Sequence, residues 1–147
     1  MNALGHDRPR ITLTTDFGMR DPYVASMKGV IRTRCPEAVI DDLTHEVTPQ
    51  NVTEAALFIA CPAPWFPPGT VHVVVVDPGV GGTRHAAAAR AGGQCFVFPD
   101  NGVLTLFLRQ HPLEEARIIA NPVFSTGNVS RTFHGRDLFA PAAAHIA

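Results

Sequence analysis

A run of four valines that ends in an acid, Val73-Val74-Val75-Val76-Asp77, constrains this chain more than any other segment. A strand with apolar side chains on both faces must be buried on both, which demands layers above and below a sheet. Pro78-Gly79 turns the chain at once, and Arg84 follows within the same loop. A second apolar segment, Ile11-Thr12-Leu13-Thr14, ends in the same way at Thr15-Asp16-Phe17-Gly18. Ligands of open α/β sheets bind outside the carboxyl ends of strands. Two acids at two strand ends therefore point to one shared site.

The other elements alternate in type. Pro22 opens a predicted helix over 22–34, with Val24, Met27, Val30 and Ile31 at helical spacing and Cys35-Pro36 as its stop. Ala38–Asp41 reads as a short strand, and the loop Thr44–Gln50 follows. Asn51 fits the N-cap of a helix carrying Ala55, Leu57, Phe58 and Ile59, which Pro62 and Pro64 end. Strand 71–77 comes next, then strands Ala86–Arg90 and Cys95–Phe98 joined through Gly92-Gly93. Val103–Leu108 fits either a hairpin strand or a helix with Leu104, Phe107 and Leu108 inward; the helix is the expected form. Ala116–Ala120 reads as a strand, and the segment from Gly135 to Ala147 as a helix interrupted by Pro141.

This order predicts an α/β fold, a mostly parallel central sheet flanked by helices in a Rossmann-like three-layer arrangement. Residues 1–10 are expected to be a mobile N-terminal segment and 11–147 one domain. The final apolar helix has no cap and no polar tail, so further chain is expected beyond Ala147.

A net charge of −1 gives no electrostatic footprint for nucleic acid or an anionic membrane surface. No apolar run approaches the roughly 18 residues of a membrane span, and no signal segment opens the chain. Cys35, Cys61 and Cys95 show no CxxC or Cys/His metal spacing, which fits reduced thiols in a cytoplasmic protein.

Asp16, Asp21, Asp77, Arg84 and His134 are the residues able to carry chemistry. Thr132-Phe133-His134-Gly135-Arg136-Asp137 places histidine, arginine and aspartate around a glycine at a helix start. A helix N-terminus disfavours a positive imidazole, so His134 should stay neutral and able to accept a proton. Several familiar schemes do not fit. Gly79–Arg84 lacks the last glycine of GxGxxG and the Lys-Ser/Thr of a P-loop. His45-Glu46-Val47-Thr48-Pro49 has proline where HExxH needs its second histidine, and there is no GxSxG elbow. A metal site drawn from Asp16, Asp41, Asp42, His45, Asp77 and His85 stays open as an alternative that their spacing does not favour; no metal is expected.

The motifs Thr14–Gly18, Asp21–Val24, Met27–Ile31, Asp42–Val47, Pro68–Val73, Val76–Gly81, Pro99–Gly102 and Thr132–Pro141 follow one another in order. From Ile11 to Ala147 the sequence resembles the S-adenosylmethionine hydroxide adenosyltransferase family, the S-adenosylmethionine hydrolases, whose relatives are the fluorinating and chlorinating adenosyl-halide synthases. The resemblance implies attack of water or hydroxide on the 5′ carbon of S-adenosylmethionine, giving adenosine and L-methionine. S-adenosylmethionine is then the substrate, and no cofactor is implied. It implies that Asp77, Arg84 and His134 hold and polarise the attacking water, with His134 the favoured proton acceptor. Asp16 matches the acid that grips the ribose diol, Asp21 a residue near the methionine amino group, and Phe133 an aromatic wall.

The halogenating relatives carry tyrosine and threonine where this chain has Asp77 and Val80, and tryptophan where it has Gln50, a position in the pocket lining. A fixed carboxylate beside the nucleophile repels a halide, which favours the hydrolase branch. Family members continue into a C-terminal β-barrel, absent from this sequence, and assemble as trimers whose site lies between one subunit's N-terminal domain and a neighbour's barrel. A halogenase, or a non-catalytic nucleoside-binding domain left by truncation, are the alternative readings.

Overall fold

The valine run enters two different cores. Val71, Val73 and Val75 face one, Val74 and Val76 the other, and all are buried. The computed structural model describes residues 8–147. Its single sheet contains β1 (Arg10–Thr15), β2 (Val39–Thr44), β3 (Val71–Val75), β4 (Ala86–Ala91), β5 (Gln94–Pro99) and β6 (Leu113–Ile118). Their spatial order is β2-β1-β3-β5-β4-β6. The pairings β1–β2, β1–β3 and β3–β5 are parallel, and β4 joins both β5 and β6 antiparallel.

On one face, α1 (Tyr23–Arg34) sets Val24, Met27 and Ile31 against the alanines of α4 (Ala140–Ile146). On the other, α2 (Val52–Ala60) contributes Ala55 and Ile59, and α3 (Thr105–Leu108) contributes Phe107. The expected α/β three-layer fold is what the chain adopts. Asn51 caps α2 as predicted, its side chain accepting the Glu54 N–H at 3.0 Å.

The path of the chain creates the crevice. From β1 it crosses through α1 to β2, then returns through α2 to β3 on the opposite side of β1. Loops leaving the carboxyl ends of β1 and β3 therefore diverge, which is where ligands settle in such sheets. Thr15 is paired with Val75, so Asp16 and Asp77 emerge from neighbouring strand ends.

Some elements differ from expectation. β3 stops at Val75, because the Val76 carbonyl accepts the Asn101 side-chain amide (2.9 Å) and Pro78 offers no N–H. Asp77 thus stands in the loop rather than on the strand. The last strand is Leu113–Ile118, not Ala116–Ala120, with Arg117 opposite Ala88 and Glu115 opposite Arg90. The C-terminal helix begins as a π-helical turn, Gly135–Phe139, and becomes α-helical at Ala140. Pro141 has no N–H to give the Asp137 carbonyl, which accepts the Thr126 N–H instead (3.0 Å). Residues 1–7 of the segment read as mobile lie outside the described residues, while Arg10 already opens β1. Among the described residues no helix is long and apolar enough to cross a membrane.

Candidate active site

The loop after β3 folds back so that Arg84 reaches Asp77. The Arg84 Nε donates to Asp77 Oδ1 (2.9 Å) and Oδ2 (3.1 Å), and its Nη2 donates to Oδ2 as well. The same Nη2 donates to His134 Nδ1 at 2.7 Å. One guanidinium therefore joins a carboxylate and an imidazole that are distant in sequence. Both charged side chains are nearly buried, at 11% and 5% exposure, and the guanidinium lies 5.4 Å from the Phe139 ring centre.

A guanidinium only donates, so His134 Nδ1 must accept. In the neutral ring the proton then sits on Nε2. Burial and the neighbouring Arg84 charge push the imidazole below its ordinary value of 6.5, against the opposing pull of Asp77. The neutral state expected of His134 thus has two causes here, and its Nδ1 lone pair is already engaged.

Gly81 allows the two loops to meet. It adopts φ +72°, and a Cβ there would overlap the Arg131 carbonyl oxygen. No other residue fits so close to the 130–134 loop in that conformation. The 130–134 loop is itself held by Asp137, buried to 1% exposure. Asp137 accepts the Ser130 N–H (2.8 Å), Thr126 Oγ1 (3.2 Å) and Arg136 Nε (2.6 Å). Ser130 Oγ then accepts the Phe133 N–H at 2.9 Å. Burial alone would raise the Asp137 carboxyl, but Arg136 and Ser130 outweigh it and hold it at about 2.

At the end of β1, Asp16 Oδ2 accepts the backbone N–H of Gln50 at 2.8 Å. Gln50 takes φ +64°, and its backbone N–H is the group that meets Asp16. Phe133 packs edge-on to Tyr23 (5.2 Å between centroids) and Phe17 (5.9 Å), an aromatic group that includes the residue following Asp16 in sequence. Asp21 is exposed in the turn before α1 and makes no hydrogen bond or ion pair among the described residues. The structure therefore joins Asp77, Arg84 and His134 in one cluster, and ties Asp16 to Gln50 in another at the adjacent strand end.

Sequence reasoning weighed His45 and Asp42 only as possible metal ligands and missed their supporting role. His45, buried to 4% exposure, meets Thr15 Oγ1 through Nδ1 (2.8 Å) and lies 2.9 Å from Asp42 Oδ1 through Nε2. The aspartate–histidine spacing of three residues was the available signal. An apolar cleft lined by Cys95, Phe124 and His145 holds none of the site residues. Among the described residues no group of three His, Cys, Asp or Glu side chains is close enough to hold a metal.

Fold and site together define a doubly covered α/β domain whose switch point carries a carboxylate–guanidinium–imidazole cluster beside a second acid. A family model for the SAM hydroxide adenosyltransferase N-terminal domain matches residues 11–147, and the chain belongs to that family. It is 43% identical over 140 residues to an (R)-S-adenosyl-L-methionine hydrolase of Salinispora arenicola, covering 95% of this chain and 53% of that protein. A fluorinase of Nocardia brasiliensis is 29% identical over 170 residues, covering 100% of this chain and 57% of the fluorinase. The crystal structure of an uncharacterized conserved protein from Thermotoga maritima superposes with a TM-score of 0.91 at 46% identity, covering 92% of this chain and 52% of that one. The chain thus spans about half the length of the relatives it matches.

Proposed function

We propose that this chain carries the nucleophile and ribose side of an S-adenosylmethionine hydrolase, which converts S-adenosylmethionine and water to adenosine, L-methionine and a proton. The observation that carries the reading is Arg84 bridging Asp77 and His134 at a switch-point crevice. The hydrolase relative at 43% identity supports the same branch over the fluorinase at 29%.

The chemistry suits such a cluster. The sulfonium leaves as a neutral thioether, so the leaving group needs no acid. What the reaction needs is a water held in line with the C5′–S bond. A carboxylate has about four lone-pair positions. Arg84 fills those of Oδ2 and one on Oδ1, leaving Oδ1 able to accept from a water. As the C–O bond forms and the C–S pair returns to sulfur, the water proton passes to Asp77. With Nδ1 engaged by Arg84, His134 serves by holding that guanidinium; it takes the proton only if the Arg84 contact opens. The buried anion of Asp77 also makes the same spot costly for a halide.

Asp16 would accept the two ribose hydroxyls, its carboxylate held by the Gln50 N–H. Asp21, exposed and unpaired among the described residues, would face the methionine ammonium. Phe133 would form the apolar wall. No metal or cofactor enters this scheme. We further propose a homotrimeric assembly when the C-terminal barrel domain is present, from the family resemblance, and the cytoplasm of a bacterium, which the free thiols of Cys35, Cys61 and Cys95 and the Salinispora and Thermotoga relatives support.

Incubation with S-adenosylmethionine followed by chromatography tests the reading. Equal amounts of adenosine and methionine are expected, with Asp77→Ala and His134→Ala each losing most of the rate. Chloride-dependent 5′-chloro-5′-deoxyadenosine would support the halogenase instead. Adenosine binding by calorimetry without turnover would support a nucleoside-binding module.

A further inference from the structure

A series of polar contacts runs from the exposed Lys28–Asp42 pair through buried His45 to the turn that carries Asp16. Lys28 Nζ donates to Asp42 Oδ2 (2.6 Å), and the other Asp42 oxygen lies 2.9 Å from His45 Nε2. His45 Nδ1 meets Thr15 Oγ1 at 2.8 Å, and Thr15 Oγ1 accepts the Phe17 N–H at 3.2 Å. The His45 carbonyl also accepts the Gly18 N–H at 2.7 Å.

With His45 neutral, the donors and acceptors leave one direction. Asp42, paired with Lys28, only accepts, so a neutral His45 places its ring proton on Nε2, which faces Asp42 Oδ1 at 2.9 Å without hydrogen-bond alignment. Nδ1 is then an acceptor, and the Thr15 hydroxyl must donate to it. That frees the Thr15 oxygen lone pairs to accept from Phe17. Thr15 Oγ1 thus both donates and accepts, and the side-chain contacts end on the Phe17 amide, while the His45 backbone carbonyl holds the Gly18 amide beside it. From the opposite side the Gln50 N–H clamps the carboxylate itself, and Gln50 belongs to the same 44–50 loop as His45.

We infer that His45, acting through Thr15, is a positioning residue that sets where the Asp16 carboxylate meets the ribose diol. It touches no substrate. The inference rests on the proposed function for the identity of the ligand, but the link from His45 to the turn does not. A buried histidine that only fills the core would support all parts of the ligand equally. A positioning histidine supports the ribose hydroxyls selectively.

The test compares adenosine with 2′,3′-dideoxyadenosine, by calorimetry, on the chain and on Asp16→Asn, His45→Leu, His45→Asn and Thr15→Val. Thr15→Val is isosteric and breaks the relay without emptying the core, so it serves if His45→Leu does not fold. A charge-assisted pair of hydrogen bonds is expected to favour adenosine about tenfold or more. His45→Leu and Thr15→Val should bring that preference to within about threefold while leaving dideoxyadenosine affinity unchanged. His45→Asn, which keeps an acceptor near Nδ1, should retain most of it. Hydrogen exchange without ligand provides the second readout: the Phe17 amide should exchange at least about tenfold faster in Thr15→Val, with the β3 amides unchanged.

If Asp16→Asn removes the preference and the His45 and Thr15 variants do not, the inference is overturned and the proposed function stands. If Asp16→Asn has no effect, or adenosine does not bind, the ribose assignment of the proposed function fails and the positioning role for a nucleoside fails with it. Unchanged Phe17 exchange in Thr15→Val overturns the relay whatever the ligand results.

Discussion

Gly81 and the Arg131 carbonyl are packed so closely that no side chain fits between them, and this contact brings the loop bearing Arg84 against the loop bearing His134. Gly81→Ala should separate the two loops. The substitution combines a left-handed φ with a backbone overlap, so a stability loss of about 1–3 kcal/mol is expected. Activity should fall by more than the stability loss explains, because Arg84 loses its second partner. Chemical denaturation paired with a rate measurement on the folded fraction checks this; a fully active folded Gly81→Ala would contradict it.

Arg84→Lys preserves charge but not geometry. One ammonium cannot reproduce the two-pronged contact with Asp77 and also reach His134 Nδ1. Losing about two charge-assisted hydrogen bonds predicts a rate lower by about a hundredfold at saturating S-adenosylmethionine. A rate within tenfold of the parent would show that the bridge is dispensable.

His134 must be neutral to accept from Arg84. Because burial and Arg84 lower its affinity for protons, the acid limb of kcat/KM should have its midpoint below pH 6.5. The same sign governs stability: the neutral ring's contribution is complete above the ordinary imidazole range and is lost as pH falls through the depressed folded value. Proton titration of the imidazole by NMR, alongside the pH–rate profile, reads both. A midpoint at or above 6.5 would mean that Asp77, not Arg84 and burial, dominates the ring.

Asp137 anchors the loop beneath Phe133 and His134, and its carboxyl is held at about 2 against an ordinary 3.8. A depressed carboxylate contributes stability that is present above its unfolded value and lost as pH falls through the folded one. The contribution is on the order of 2 kcal/mol. Asp137→Asn should therefore be less stable at neutral pH, with the difference shrinking between about pH 4 and pH 2. Urea titrations across that range measure it, and a pH-independent gap would contradict the assignment.

Much of the fold was legible because burial leaves a strong imprint on sequence. The valine run forces a strand covered on both faces, and Val24, Met27 and Ile31 mark the inner side of α1. β6 was misplaced because every residue in it but Glu115 is exposed, so no alternation marks its register; the apolar Ile118-Ile119 drew the reading too far along. Asp77 and Arg84 share one loop, so their pairing was within reach of spacing alone. The meeting of Arg84 with His134 depends on Gly81 and Arg131 approaching through the fold, which no local pattern encodes. Gln50 enters the site by its backbone at positive φ, and a side-chain reading could not anticipate that. The His45 relay was hidden for the same reason as other buried polar groups: its partners are brought together by β1 lying beside β2.

The most direct test is to run the reaction in H₂¹⁸O and weigh the nucleoside. If Asp77, Arg84 and His134 hold the attacking water, the adenosine formed carries one ¹⁸O at its 5′ oxygen, and Asp77→Asn abolishes its formation. Unlabelled adenosine, or labelled adenosine formed at an undiminished rate by Asp77→Asn, would contradict the account.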